Sequence, residues 1–314
     1  MENTATNVFA FRALISALPN FEGLRSMKII TRIAFTCAAL TFASATPGFA
    51  ESLKELATRT HYHGIAFARS GSAVLLLASH HGLFAVDKTG DATQVSPVQD
   101  YMGFSPDPSD PLTYYASGHP HEGGNSGFLK SIDGGATWKQ ISAGIDGPVD
   151  FHQMDVSTVD LQTIYGNYDG LQVSHDGGHI WAAAGASPDS LIAIAASSIK
   201  AGTLYAATKN GLHISNDAGA SWQPLAFDGE VASMVKTGPK GALLAFILGK
   251  GLMKANENKP MEWTALSNGF GDAIPLHIAI NPADDTQLAL TTQDNAVLES
   301  HDSGVTWGPF GQAQ

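Results

Sequence analysis

Five tryptophans, at positions 138, 181, 222, 263 and 307, step by 43, 41, 41 and 44 residues, and the chain has no others. Four of them end the same eight-residue string, S-x-D-x-G-x-x-W. It reads Ser131-Ile-Asp133-Gly-Gly135-Ala-Thr-Trp138, Ser174-His-Asp176-Gly-Gly178-His-Ile-Trp181, Ser215-Asn-Asp217-Ala-Gly219-Ala-Ser-Trp222 and Ser300-His-Asp302-Ser-Gly304-Val-Thr-Trp307. Around Trp263 the string has decayed to the tryptophan alone. A turn motif recurring in phase at this interval means an array of like units that bury their apolar faces against one another. Aspartate accepts bonds from backbone N–H groups a few residues on, glycine supplies the positive φ of a tight turn, and tryptophan covers the hairpin. Asp133, Trp138, Asp176, Trp181, Asp217, Trp222, Asp302 and Trp307 are therefore read as structural staples.

Aligned on this string, each unit holds four short β-branched or aromatic runs divided by Pro, Asp and Gly turns. Blade two shows the pattern in Tyr101–Phe104, Thr113–Ala116, Gly127–Ser131 and Trp138–Ile141. No helical periodicity appears after residue 60. The reading is all-β: one domain over 51–314, a six-bladed β-propeller with the repeated hairpins between strands 3 and 4. Residues 51–60 leave a seventh blade open, or else form a short helix or an added edge strand.

The N-terminus is read as processing sequence. Met27-Lys-Ile-Ile-Thr-Arg32 is basic, Ile33 to Ala43 is apolar, and Gly48-Phe-Ala50 offers small residues for cleavage, so 27–50 is a signal peptide and 1–26 an over-extended start. Cys37, the only cysteine, lies within that leader. A periplasmic or secreted product follows, without disulfides and with no membrane insertion. The whole chain has 17 basic and 29 acidic residues; setting aside the four basic and two acidic residues of 1–50 leaves 13 against 27, a net charge of −14. That balance excludes nucleic acid as a partner.

Histidine carries the chemistry. Seven of the twelve fall in the first three units: His61, His63, His80, His81, His119, His121 and His152. Inner strands begin on the same propeller face as the turns between second and third strands, so all seven converge on that face. His63, Met102 and His152 take the same place at the start of three successive inner strands, and His277 takes about that place in blade six. These side chains should ring one mouth of the central channel. Imidazoles beside a thioether suit a borderline or soft transition metal, copper before zinc. His61, His63, His80, His81, Met102, His119, His121 and His152 are the candidate ligands. Asp100, Asp150 and Glu122 would orient the rings from behind. The same residues could instead line a pocket for a small polar molecule. His175, His179, His213 and His301 belong to hairpins and outer strands and are read as solvated.

The strings His61-Tyr-His-Gly64, His80-His-Gly-Leu-Phe84, Met102-Gly-Phe104, Gly118-His-Pro120 and Asp150-Phe-His152, with the four hairpins, resemble a family of exported bacterial Asp-box (BNR-repeat) propellers. Its members are labelled glycosyl-hydrolase- or sialidase-like, and are distantly similar to sortilin-type and photosystem II assembly-factor propellers. The label implies glycosidase activity. Sialidase chemistry needs three arginines on the substrate carboxylate, whereas only Arg59 and Arg69 follow residue 50. Another glycoside hydrolase would need two opposed carboxylates, for which Glu122 and Asp150 are the candidates. No phosphate loop, and hence no nucleotide cofactor, is visible. The expectation is an exported, non-catalytic propeller that binds a metal ion or small molecule. A glycoside hydrolase using the same pocket and a scaffold for another exported protein are the alternatives.

Overall fold

Short apolar runs of four to seven residues cannot cover themselves, and the chain resolves this by pairing four of them per repeat and stacking the repeats face to face. The computed structural model describes residues 50–72 and 74–312; the stretch 1–26 and the leader up to residue 49 lie outside them. Among the described residues, six antiparallel sheets follow one another along the chain, each built on four strands in up-and-down order, the first with one strand added at its outer edge. Their inner strands are Tyr62–Phe67, Met102–Pro106, Gln153–Val156, Leu191–Ala196, Ala232–Gly238 and Pro275–Ile280. Each inner strand packs against the next, and that of blade 6 returns to that of blade 1. The ring is a six-bladed β-propeller. No helix among the described residues is long and apolar enough to cross a membrane.

Residues 51–60 supply both smaller features and no seventh blade. Glu51–Ser52 pairs antiparallel with Asp91–Gln94 as a fifth, outermost strand of blade 1. Ser52 then caps a helix, Leu53–Ala57, in a reciprocal capping box with Glu55. Leu56 from this helix is fully buried in one cluster with Tyr62 and Phe67 of blade 1 and Ala279, Ala289, Val297 and Phe310 of blade 6. Asn295 Nδ2 donates to the Ala57 carbonyl at 3.2 Å across the same seam. Blade 6 keeps its own outer strand, Gly308–Pro309, so packing closes the ring without strand exchange.

The repeated hairpins are self-contained. In blade 2, Ser131 Oγ donates to Asp133 Oδ1 at 2.8 Å and accepts from Gly135 N at 2.9 Å, while Thr137 N donates to Asp133 Oδ1 at 2.9 Å. Trp138 Nε1 closes the turn on the Gly135 carbonyl at 2.8 Å. The motif glycines 135, 178, 219 and 304 all have φ near 90°, which only glycine adopts without strain. They serve the interfaces as well. A Cβ on Gly135 would come within 2.2 Å of Leu83, one on Gly178 within 2.0 Å of Phe128, and one on Gly219 within 2.1 Å of Leu171. Each of those partners lies in the third strand of the preceding blade, so the missing side chain lets neighbouring blades close up. Where the motif has decayed, blade 5 joins Gly251–Asn256 to Lys259–Ser267 through two residues only.

Gly134 N, Gly177 N, Ala218 N and Ser303 N donate to carbonyls of Leu112, Gln162, Gly202 and Thr286. These acceptors lie between first and second strands, so the hairpins occupy the face opposite the turns that join second to third strands.

Candidate metal centre at the channel mouth

Register brings the histidines together. Tyr62 pairs with Ser79 and Gly64 with Ala78, so His63 bulges out of the ladder at the start of the inner strand. A bulge re-aims a side chain that regular pairing would hold over the sheet. His277 pairs with Thr291 as Gly64 pairs with Ala78, so it lies one residue beyond the place of His63 rather than in it. His63, His152 and His277 line a channel cavity of about 90 Å³. A polar cavity of that size has room for ordered water. Deeper in, Lys236 Nζ lies 3.2 Å from Asp155 Oδ1, a pair that sequence reasoning passed over.

Two clusters form at this mouth. In the first, His80 Nδ1 lies 3.0 Å from Asp100 Oδ2 and 3.1 Å from His63 Nε2, and His63 Nε2 lies 3.5 Å from Asp100 Oδ1. In the second, Asp150 Oδ2 lies 2.6 Å from His152 Nε2 and 3.0 Å from His119 Nε2. Each offers two imidazole nitrogens and one carboxylate oxygen within 4.8 Å of one another. Asp100 and Asp150, expected to orient the rings from behind, stand at the centre of the clusters. The signal that marks them is the paired string Asp100-Tyr101-Met102 and Asp150-Phe151-His152, in which the aromatic residue is fully buried and anchors the start of an inner strand.

Burial and crowding set the charge states of these donors. Burial, reinforced by neighbouring His80, His277, His152 and His61, holds His63 down to about 3, so its ring is neutral. Burial likewise brings His277 down to about 4. Hydrogen bonding to Asp150 raises His152. Burial raises Asp100, against the lowering effect of its bond with His80. The Asp150 side chain is 4% exposed, yet its Oδ1, like Asp100 Oδ1, has no hydrogen-bond partner. A buried carboxylate oxygen left unmatched costs about 1–3 kcal/mol or more.

One further contact defines a ligand. His119 Nδ1 lies 2.8 Å from the Gly124 carbonyl, which can only accept. Nδ1 therefore carries the hydrogen, and in the neutral ring Nε2 presents a lone pair toward Asp150 Oδ2. Histidines that bind metals are held in this way.

Other candidates fall outside the clusters. His81, His121 and Glu122 are exposed. His61 is exposed, hydrogen-bonds Asn295 through Nδ1 at 3.2 Å, and sets its ring edge-on to His80 at 6.0 Å. Met102 is 8% exposed and is not among the residues lining the channel cavity. His175, His179 and His301 are exposed, whereas His213, expected in solvent, is half-buried with its Nδ1 unpartnered.

No family model and no curated protein matches the chain. Solved structures do. A GH74 xyloglucanase from Xanthomonas campestris superposes with a TM-score of 0.55 at 17% identity, over 80% of this chain and 45% of that one. A GH74 enzyme from Niastella koreensis gives 0.57 at 15% identity, over 80% and 45%. The extracellular domain of BT4673 from B. thetaiotaomicron gives 0.53 at 13% identity, over 80% and 33%. This chain spans less than half the length of each. At these identities the likeness is one of fold, and the chain is similar to all three as a β-propeller.

Proposed function

We propose that this protein is an exported, non-catalytic β-propeller that binds a divalent transition-metal ion at the histidine- and aspartate-lined mouth of its channel. The observation that carries the reading is the second cluster. His119 presents Nε2 to Asp150 with its tautomer held by the Gly124 carbonyl, His152 Nε2 lies 2.6 Å from the same carboxylate, and Asp150 Oδ1 is buried without a partner. The Nε2 lone pair of His119 and the carboxylate of Asp150, which also holds His152 Nε2, repel one another at this distance unless a proton or a metal ion stands between them. Imidazole and carboxylate are borderline-to-hard donors; for such a set the Irving–Williams order puts copper(II) above the other first-row divalent ions, and zinc also accepts both donor types. The thioether of Met102 lies outside the channel lining, so the soft donor that would favour copper(I) is missing from the set.

The hydrolase and scaffold alternatives rest on fold likeness at 17% identity or below, and fold is a weak warrant for activity. Elemental analysis of the untagged protein, followed by copper(II) titration of the chelator-stripped form, tests the reading. At least one tightly held ion is expected, with the electron paramagnetic resonance signature of mixed nitrogen and oxygen ligation. A His119→Ala, His152→Ala double variant should lose the second-cluster signal while melting as the parent does. A parent that holds neither copper nor zinc ends the proposal.

A further inference from the structure

The two clusters are copies of one device generated by the repeat. In each, a histidine from the turn between second and third strands of one blade meets the aspartate that precedes the inner strand of the next. His80 of blade 1 meets Asp100 before blade 2, and His119 of blade 2 meets Asp150 before blade 3. The third donor comes from the start of an inner strand. The first cluster takes it from the blade of its turn histidine, as His63, and the second from the blade beyond its aspartate, as His152. Between them, Met102 holds the corresponding place in blade 2 and is buried. The backbone joins the two sites directly, since Asp100 N donates to the His119 carbonyl at 3.0 Å.

We infer that the mouth holds two metal ions per chain, one at each cluster, each bound by two imidazole nitrogens and one carboxylate oxygen. The inference rests on the metal-binding reading above and goes beyond it in number and address. Among the described residues the six donors fall into two separate groups of three, not one group of six. Each group also contains its own buried, unpartnered carboxylate oxygen, Oδ1 of Asp100 and Oδ1 of Asp150. A single ion would neutralise one of these carboxylates and leave the other with its desolvation cost. Three protein donors leave room for water or a small oxygen-bearing ligand on each ion, as metal sites that keep an open position do. The ions expected are borderline divalent cations that accept nitrogen and oxygen together, copper(II) or zinc.

The test is a count. The stripped full chain is titrated with zinc chloride by calorimetry, and the zinc retained after dialysis is measured. Two equivalents are expected for the parent, one each for Asp100→Asn and Asp150→Asn, and none for the double variant. Asparagine keeps the shape of the side chain and removes the charge. Should either asparagine variant fail to fold, His80→Gln and His119→Gln, at partly exposed rings, ask the same question. One equivalent in the parent, lost in both single variants, means a shared ion and overturns the two-site inference while sparing the metal reading. One equivalent lost in a single variant assigns the ion to that cluster and also overturns it. No zinc and no copper on the parent defeats both together.

Discussion

The hairpin face and the histidine mouth use the same polar residue types to opposite ends. On the hairpin face, Ser131, Asp133, Gly135 and Thr137 satisfy one another within seven residues, and the pattern repeats at Ser174, Ser215 and Ser300. At the mouth the partners come from different blades, and after all the contacts are made two buried carboxylate oxygens remain without a hydrogen bond. A locally closed network adds stability and leaves no carboxylate oxygen over for a ligand. A network assembled across blades and left incomplete holds donors ready for something else. Equivalent mouth positions in blades 4, 5 and 6 carry Ile192, Ser233 and Leu276, so the imidazole–carboxylate clusters are confined to the first three blades, whereas the hairpins recur in four.

Variants that separate the two faces put this contrast at risk. The largest effect is expected for Trp181→Ala. That side chain is 9% exposed and packs against Phe128 and Phe151. Its loss should lower unfolding stability by about 3–5 kcal/mol, while the folded fraction binds metal as before. Denaturant unfolding and metal titration on one preparation measure both, and unaltered stability with lost binding would reverse the roles assigned to the faces. Next in size, a His63→Ala, His152→Ala double variant should weaken metal binding at least ~100-fold with no loss of apo-protein stability, in line with the cost of removing direct ligands. If it binds as the parent does, the donors lie elsewhere.

A third expectation concerns one hairpin bond network. Asp133→Ala removes the acceptor for Ser131 Oγ and Thr137 N and should cost about 1–2 kcal/mol without touching metal affinity. The smaller effects are in pH. His63 and His277 titrate near 3 and 4 when folded, and near 6.5 when unfolded. Below pH 6.5 the unfolded chain therefore binds more protons, and stability falls as pH drops from there toward about 4. The slope is at most about 1.4 kcal/mol per pH unit for each ring. Asp100 and His152, both raised, act in the opposite sense, since their contribution is lost as pH rises through their folded values. Thermal melts of a His63→Gln, His277→Gln variant should therefore run flatter than the parent between pH 6.5 and 4; an unchanged slope contradicts the neutral, buried state of these rings. Least of all, Glu122→Gln should change neither stability nor metal content, and any glycosidase activity that disappears with it would revive the hydrolase alternative.

What could be read without coordinates follows from locality. The tryptophan spacing, the hairpin string and the short apolar runs each operate within one repeat, so six blades, their four strands and the position of the hairpins were legible in order along the chain. The gathering of histidines on one face was legible too, because a propeller repeat dictates which turns share a face. Three things depended on tertiary packing. The bulge at His63 and the one-residue offset of His277 are matters of strand register, which composition does not encode. The division into two clusters, with Asp100 and Asp150 at their centres, depends on how one blade's turn meets the next blade's inner strand, a contact between residues about 20 to 31 apart. Whether Met102 borders the channel or is buried turns on side-chain direction at an aligned position, and alignment is blind to that. Repetition within the chain determined the architecture, while the donor geometry was decided only where the blades touch.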